Sequence, residues 1–180
     1  MSFPAHPSEP GRAPAPRSVG FVVGPDDGDA VHWLGSLTLV KITGAVTGGG
    51  LDVVDHRVPA GYAPPLHVHR DQDEVFYLID GTLDVTCAGD HWRVEAGSLV
   101  FLPRGVPHGF TVAADRPART LLINAPAGFA DIVVELGTPA AQLRLPDPSV
   151  PMPAPERVAE VSARHGIEPP PSSAAPQAGR

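Results

Sequence analysis

Between residues 31 and 124 the chain is written in short apolar or alternating stretches, each closed by glycine, proline or aspartate. Residues 37–43, Leu-Thr-Leu-Val-Lys-Ile-Thr, alternate in character. Successive side chains of a strand point to opposite faces, so this alternation predicts a half-buried strand. The same reading predicts strands over 31–34, 51–58, 75–79, 83–87, 91–94, 98–102, 108–112 and 119–124. Asp80-Gly81 is a hairpin signal, because glycine accepts the positive φ of a tight turn. In the strand at 91–94 the neighbours His91 and Trp92 face oppositely, and His91 is the one expected in solvent. The glycine tract at 48–50 reads as a loop, with no helix predicted after it that would make it a phosphate cradle. Many short strands at intervals of about 8–12 residues, separated by glycine and proline turns, predict an all-β sandwich or barrel.

The flanks read differently. Residues 1–18 are proline-rich and poor in apolar side chains, which predicts a disordered or extended arm. The barrel is expected over 19–126, a helical and proline-rich extension over 127–168, and a disordered tail over 169–180. Residues 130–137 predict a short helix ended by Gly137, although Ile132-Val-Val also suits a strand. Residues 156–165 predict a terminal helix with Val158, Ala159 and Val161 on one side and Gly166 as its stop. His165 then sits at a helix C-terminus, where a cation is favoured.

Composition narrows the possible roles. The chain has 180 residues, long enough for one domain with a real core, and a net charge of -7 with a single lysine. An acidic chain without a basic stripe does not suit nucleic acid. No stretch reaches the roughly 18 apolar residues that span a bilayer, and the first residues lack a secretory pattern, so a cytoplasmic protein with no membrane partner is expected. Cys87 is the one cysteine, which leaves no intramolecular disulfide and reads as a small core or edge residue.

The candidate chemistry lies between Gly61 and His108. His67 and His69 are two apart, so on an extended strand they project from one face. Glu74 opens the next strand, and His108 starts another after a Pro103-Arg104-Gly105 turn. Three imidazoles and one carboxylate suit a first-row divalent ion and leave coordination positions open. Fe, Ni, Mn, Co, Cu and Zn all fit such a donor set, and one ion per chain is expected. In parity with these residues Phe76, Leu78, Phe110 and Val112 point inward as an apolar substrate pocket, whereas Phe101 and Leu102 cannot both do so. Such a lining favours a flat aromatic small molecule. Arg104 is the one arginine placed to reach toward a phosphate. His56 reads as a surface or packing residue.

Gly61, His67, His69, Glu74 and Gly81 resemble the first cupin motif, and Gly97, Pro103, Gly105 and His108 the second, with Val112 where that motif usually carries asparagine. The resemblance implies a jelly-roll β-barrel (a double-stranded β-helix) with short C-terminal helices, and a metal held by His67, His69, Glu74 and His108 between two facing sheets. Glu135-Leu-Gly-Thr-Pro139 and the region after it resemble small bacterial single-cupin proteins related to quercetin dioxygenases. In those enzymes a flavonol binds the metal through its 3-hydroxyl oxygen and the metal-bound glutamate takes the proton. Dioxygen then opens the heterocycle with release of carbon monoxide. The resemblance thus implies a metal-dependent dioxygenase with Glu74 as ligand and general base. A non-oxidative isomerase or cyclase of natural-product metabolism and a noncatalytic small-molecule-binding protein stay open beside it. The resemblance also implies pairing through edge strands, and so a homodimer, with the arm at 4–17 able to cross to a neighbour.

Overall fold

The computed structural model describes residues 19–171. The expected N-terminal arm and most of the expected tail lie outside the described residues. In chain order the elements are β1 (Asp29–Trp33), β2 (Ser36–Ile42), α1 (Gly44–Thr47), β3 (Asp52–Val58), β4 (Val68–His69), β5 (Asp73–Asp80), β6 (Thr82–Cys87) and β7 (Asp90–Glu95). They continue as β8 (Leu99–Leu102), β9 (His108–Val112), β10 (Ala118–Ala125), α2 (Phe129–Leu136), β11 (Thr138–Pro139), α3 (Pro155–Arg164) and β12 (Ile167–Glu168). A seven-stranded antiparallel sheet runs β11-β1-β2-β3-β10-β5-β8 and faces a three-stranded sheet, β7-β6-β9, with a small β12-β4 pair beside them. This is an all-β jelly roll with few short helices.

The core lies between the sheets because the inward rows are apolar. Val54 and Val58 of β3, Leu122 of β10, and Phe76 and Leu78 of β5 meet Leu83 and Val85 of β6 and Phe110 and Val112 of β9, all buried. Leu102 is buried and Phe101 is 56% exposed, as alternation requires. Cys87 is buried in the same core.

Asp80-Gly81 does not close a hairpin. β5 pairs with β10 and β8, whereas β6 pairs with β7 and β9. Gly81 turns the corner from one sheet to the other at φ +97°, and a Cβ there would stand 2.7 Å from the Ala118 Cα. The turn permits either path. Burying the inward residues of both strands requires the change of sheet. The hairpin in this region is β6-β7, through Ala88 and Gly89. β7 is an edge strand, so His91 and Trp92 are both exposed, rather than His91 alone.

Residues 129–136 settle as helix despite their β-branched content. Phe129, Ile132, Val133 and Leu136 fall at helical spacing and are all buried. The preceding Gly128 has no side chain to cap the helix. Asp52 of β3 does so instead, its Oδ2 accepting from the N–H groups of Gly128 (2.7 Å) and Ala130 (3.1 Å). The extension also returns two short strands to the barrel: β11 joins β1, and β12 joins β4. Their shortness and the surrounding prolines hide them from any periodicity argument. His165 ends α3 next to Glu135 at 3.4 Å.

Candidate metal centre

Each of the four candidate ligands is brought to the site by a different constraint. Glu74 lies near the start of β5 in the large sheet, and His108 opens β9 in the small one. His67 bridges directly to His108 by two backbone hydrogen bonds, His67 N–H to His108 O at 3.0 Å and His108 N–H to His67 O at 2.9 Å. His69 is held on both sides: Ile167 of β12 is its strand partner, and its carbonyl accepts from the Gly105 N–H at 2.8 Å. The Arg70 N–H donates to Gly166 O at 2.7 Å, and the Arg70 guanidinium pairs with Glu168 at 2.9 Å. The C-terminal segment therefore clamps β4, which carries His69 and directly follows His67.

The donor atoms of His67, His69, Glu74 and His108 all lie within 4.8 Å of one another. Glu74 Oε2 is 3.3 Å from His108 Nε2 and 3.8 Å from His69 Nε2. His67 Nδ1 stands 2.8 Å from Pro65 O, and His108 Nδ1 stands 2.9 Å from Val106 O. A carbonyl only accepts, so in both rings Nδ1 carries the proton and Nε2 keeps its lone pair. Burial pushes His69 down to about 4 and lowers His67, so these two are neutral at neutral pH and offer lone pairs. Burial alone would push Glu74 up. The adjacent His69, His108 and His67 outweigh it and hold the carboxyl below its usual range.

The donor set fits a transition-metal ion. His69 Nε2 and His108 Nε2 are buried with no hydrogen-bond partner, which is costly for a polar atom unless something else takes its lone pair. Bonds of about 2.0–2.2 Å to nitrogen and oxygen span a cluster of this size with slight closing. His67 is the one half-buried member, and the other three are buried.

Residues 54–124, which contain all four side chains, match the cupin domain. Quercetin 2,3-dioxygenase from Bacillus subtilis is 28% identical over 124 residues, 69% of this chain and 36% of that protein. The chain carries a cupin domain. The cupin is also 28% identical to the tetracenomycin polyketide synthase protein TcmJ of Streptomyces glaucescens over 96 residues, 53% of this chain and 64% of that one. It thus spans about a third of the length of the first of these relatives and just under two-thirds of the second. Among solved structures, KdgF from Halomonas sp. superposes with a TM-score of 0.55 at 16% identity, covering 63% of this chain and 99% of that one. At that identity the likeness speaks for the fold.

Of the four pocket residues expected from this cupin's sequence, Phe76 and Phe110 lie two residues from Glu74 and His108, their rings T-shaped at 5.4 Å. Leu78 and Val112 are equally buried but lie four residues along, about 13 Å at the rise of a strand, within the core. Arg104 is committed to Asp73 through its backbone N–H and its guanidinium, at 2.7–3.1 Å, and does not reach toward a ligand. Sequence reasoning missed Gln72 and His56. Gln72 stands beside His69, and its Oε1 and His69 Nδ1 are buried without another partner. Gly128 leaves the room for it, since a Cβ there would meet Gln72 Nε2 at 2.5 Å. His56 is a fully interior residue, only 2% exposed. Among the described residues no helix is long and apolar enough to cross a membrane.

Proposed function

We propose that this cupin is a metal-dependent dioxygenase acting on a flavonol-like or other aromatic enol. The observation that carries the reading is the set of three imidazoles and one carboxylate within 4.8 Å, with two of the imidazoles oriented to present Nε2. His67, His69, Glu74 and His108 would hold one divalent transition metal, which when bound supplies a Lewis acid for an enol oxygen and a partner for dioxygen. The chain's own residues position the substrate and move a proton. Glu74, ionised at neutral pH, is the base that takes the enol proton at a carboxylate oxygen. Phe76 and Phe110 wall the approach and keep water from the reacting face. The similarity to quercetin 2,3-dioxygenase supports this substrate class.

Oxygen uptake with quercetin, measured on protein whose metal content is determined in the same sample, tests the reading. Uptake is expected in the wild type and not in Glu74→Ala. A fully metallated protein without uptake overturns it. The similarity to a polyketide synthase protein favours a second reading, a non-oxidative enzyme of natural-product metabolism using the same centre, and turnover under strict exclusion of oxygen would select it.

We also propose that two copies pair over the outer face at edge strand β8. Tyr77 (42% exposed), Ile79 (39%), Leu99 (64%) and Phe101 (56%) share this face without a charge among them. An apolar face at an open edge is self-complementary about a two-fold axis. Sedimentation velocity is expected to give a dimer, and Phe101→Glu a monomer. A monomeric wild type overturns the pairing.

A further inference from the structure

The chemistry above leaves a second group of buried polar atoms unused. On the inward row of the large sheet Thr38, His56, Thr120 and Leu78 stand abreast on β2, β3, β10 and β5. Neither ring nitrogen of His56 has a hydrogen-bond partner, and the Thr120 Oγ1 and Trp33 Nε1 are likewise buried and unpaired. Burial lowers the His56 pKa to about 4, so at neutral pH the ring is uncharged, with one N–H donor and one lone pair. A buried polar group without a partner loses its hydration and gains nothing in return, and a leucine at this place would fill the row without that loss.

The surfaces around these atoms are aromatic, and they lead to the metal centre. His69 stacks on Phe129 at 6.1 Å, Phe129 meets Trp33 at 5.4 Å, and Trp33 meets His56 at 5.6 Å. On its other side His56 meets Tyr62 at 5.9 Å, and Tyr62 meets Phe110 at 6.0 Å. An apolar lining was expected here; instead, flat rings enclose a small group of neutral donors and acceptors.

We infer that His56, with Trp33 Nε1 and Thr120 Oγ1, is a second recognition point in the barrel, hydrogen-bonding an oxygen at the far end of an aromatic ligand whose near end reaches His67, His69, Glu74 and His108. This rests on the reading of that cluster as the ligand-binding centre. The ligand class is a polyoxygenated aromatic carrying hydroxyl or carbonyl groups at both ends. The far groups are uncharged, so they select neutral oxygens over carboxylate or phosphate. His56 is a positioning and specificity residue in this scheme, with no part in the proton transfer.

Two flavonols separate the ends of such a ligand. Both carry the 3-hydroxyl and 4-carbonyl pair, but quercetin has further hydroxyls on its outer rings and 3-hydroxyflavone has none. Binding is measured by tryptophan fluorescence quenching on protein loaded with Zn2+ and kept free of oxygen, so that no turnover intervenes. The wild type is expected to bind quercetin about tenfold tighter than 3-hydroxyflavone. His56→Leu is expected to lose that preference while keeping its zinc content, its affinity for 3-hydroxyflavone, and a thermal midpoint equal to or above that of the wild type. A His56→Leu protein that keeps the full preference overturns the inference and leaves the metal-centre reading standing. A wild type that binds neither flavonol overturns both. Should His56→Leu not fold, Thr120→Val keeps the shape of its residue and tests the same point. A loss of about threefold in preference is expected there, and no loss overturns the inference.

Discussion

At the scale of single residues, the centre is prepared by local backbone geometry. His67 and His108 each bond through Nδ1 to the carbonyl two residues earlier, so the tautomer is fixed before any ion arrives. His69→Ala is expected to abolish metal retention, measured by elemental analysis after gel filtration, while far-UV circular dichroism stays that of a folded barrel. Full occupancy in the variant would refute the role of His69. Buried neutral histidines also give a pH signature. His56 and His69 ordinarily titrate at 6.5 but do so at about 4 in the folded chain. Between those values the unfolded chain binds more protons, so the metal-free protein loses stability as pH falls from 6.5 through 4. Urea midpoints at pH 7 and pH 5 are expected to show this fall, and to show a smaller one in His56→Leu. The candidate ligands were legible in the sequence because spacing along two strands and one turn encodes them. His56 was not. The rings that define its surroundings come from β1, α2 and the approach to β4, and no linear pattern relates Trp33, Phe129 and Tyr62 to it.

At the scale of elements, the strands were legible from alternation, but their partners were not. A glycine turn looks the same in sequence whether the chain folds back or changes sheets, and Gly81 does the latter. Gly81→Ala forces a side chain into positive φ and against Ala118. A loss of about 2 kcal/mol in the free energy of unfolding is expected from urea titration. An unchanged midpoint would mean that the corner relaxes freely. The run Ile132-Val-Val suits helix and strand alike, and burial at helical spacing decides for helix α2. Its cap lies outside that stretch of sequence altogether, in Asp52 of β3.

At the scale of the whole molecule, two sheets of unequal size set the centre where they approach each other, one candidate ligand from each, one from the short strand β4 and one, His67, from the residue before it. That strand has little pairing of its own, and β12 gives it an antiparallel neighbour. Arg70 and Glu168, which seal the contact, are 98 positions apart. During synthesis the ribosome therefore releases His67 and His69 long before it makes the residues that fix them. An ion held by this centre would therefore be fixed only after Glu168 has been made, and its identity would reflect the metals met by the folded protein and not those met by the nascent one.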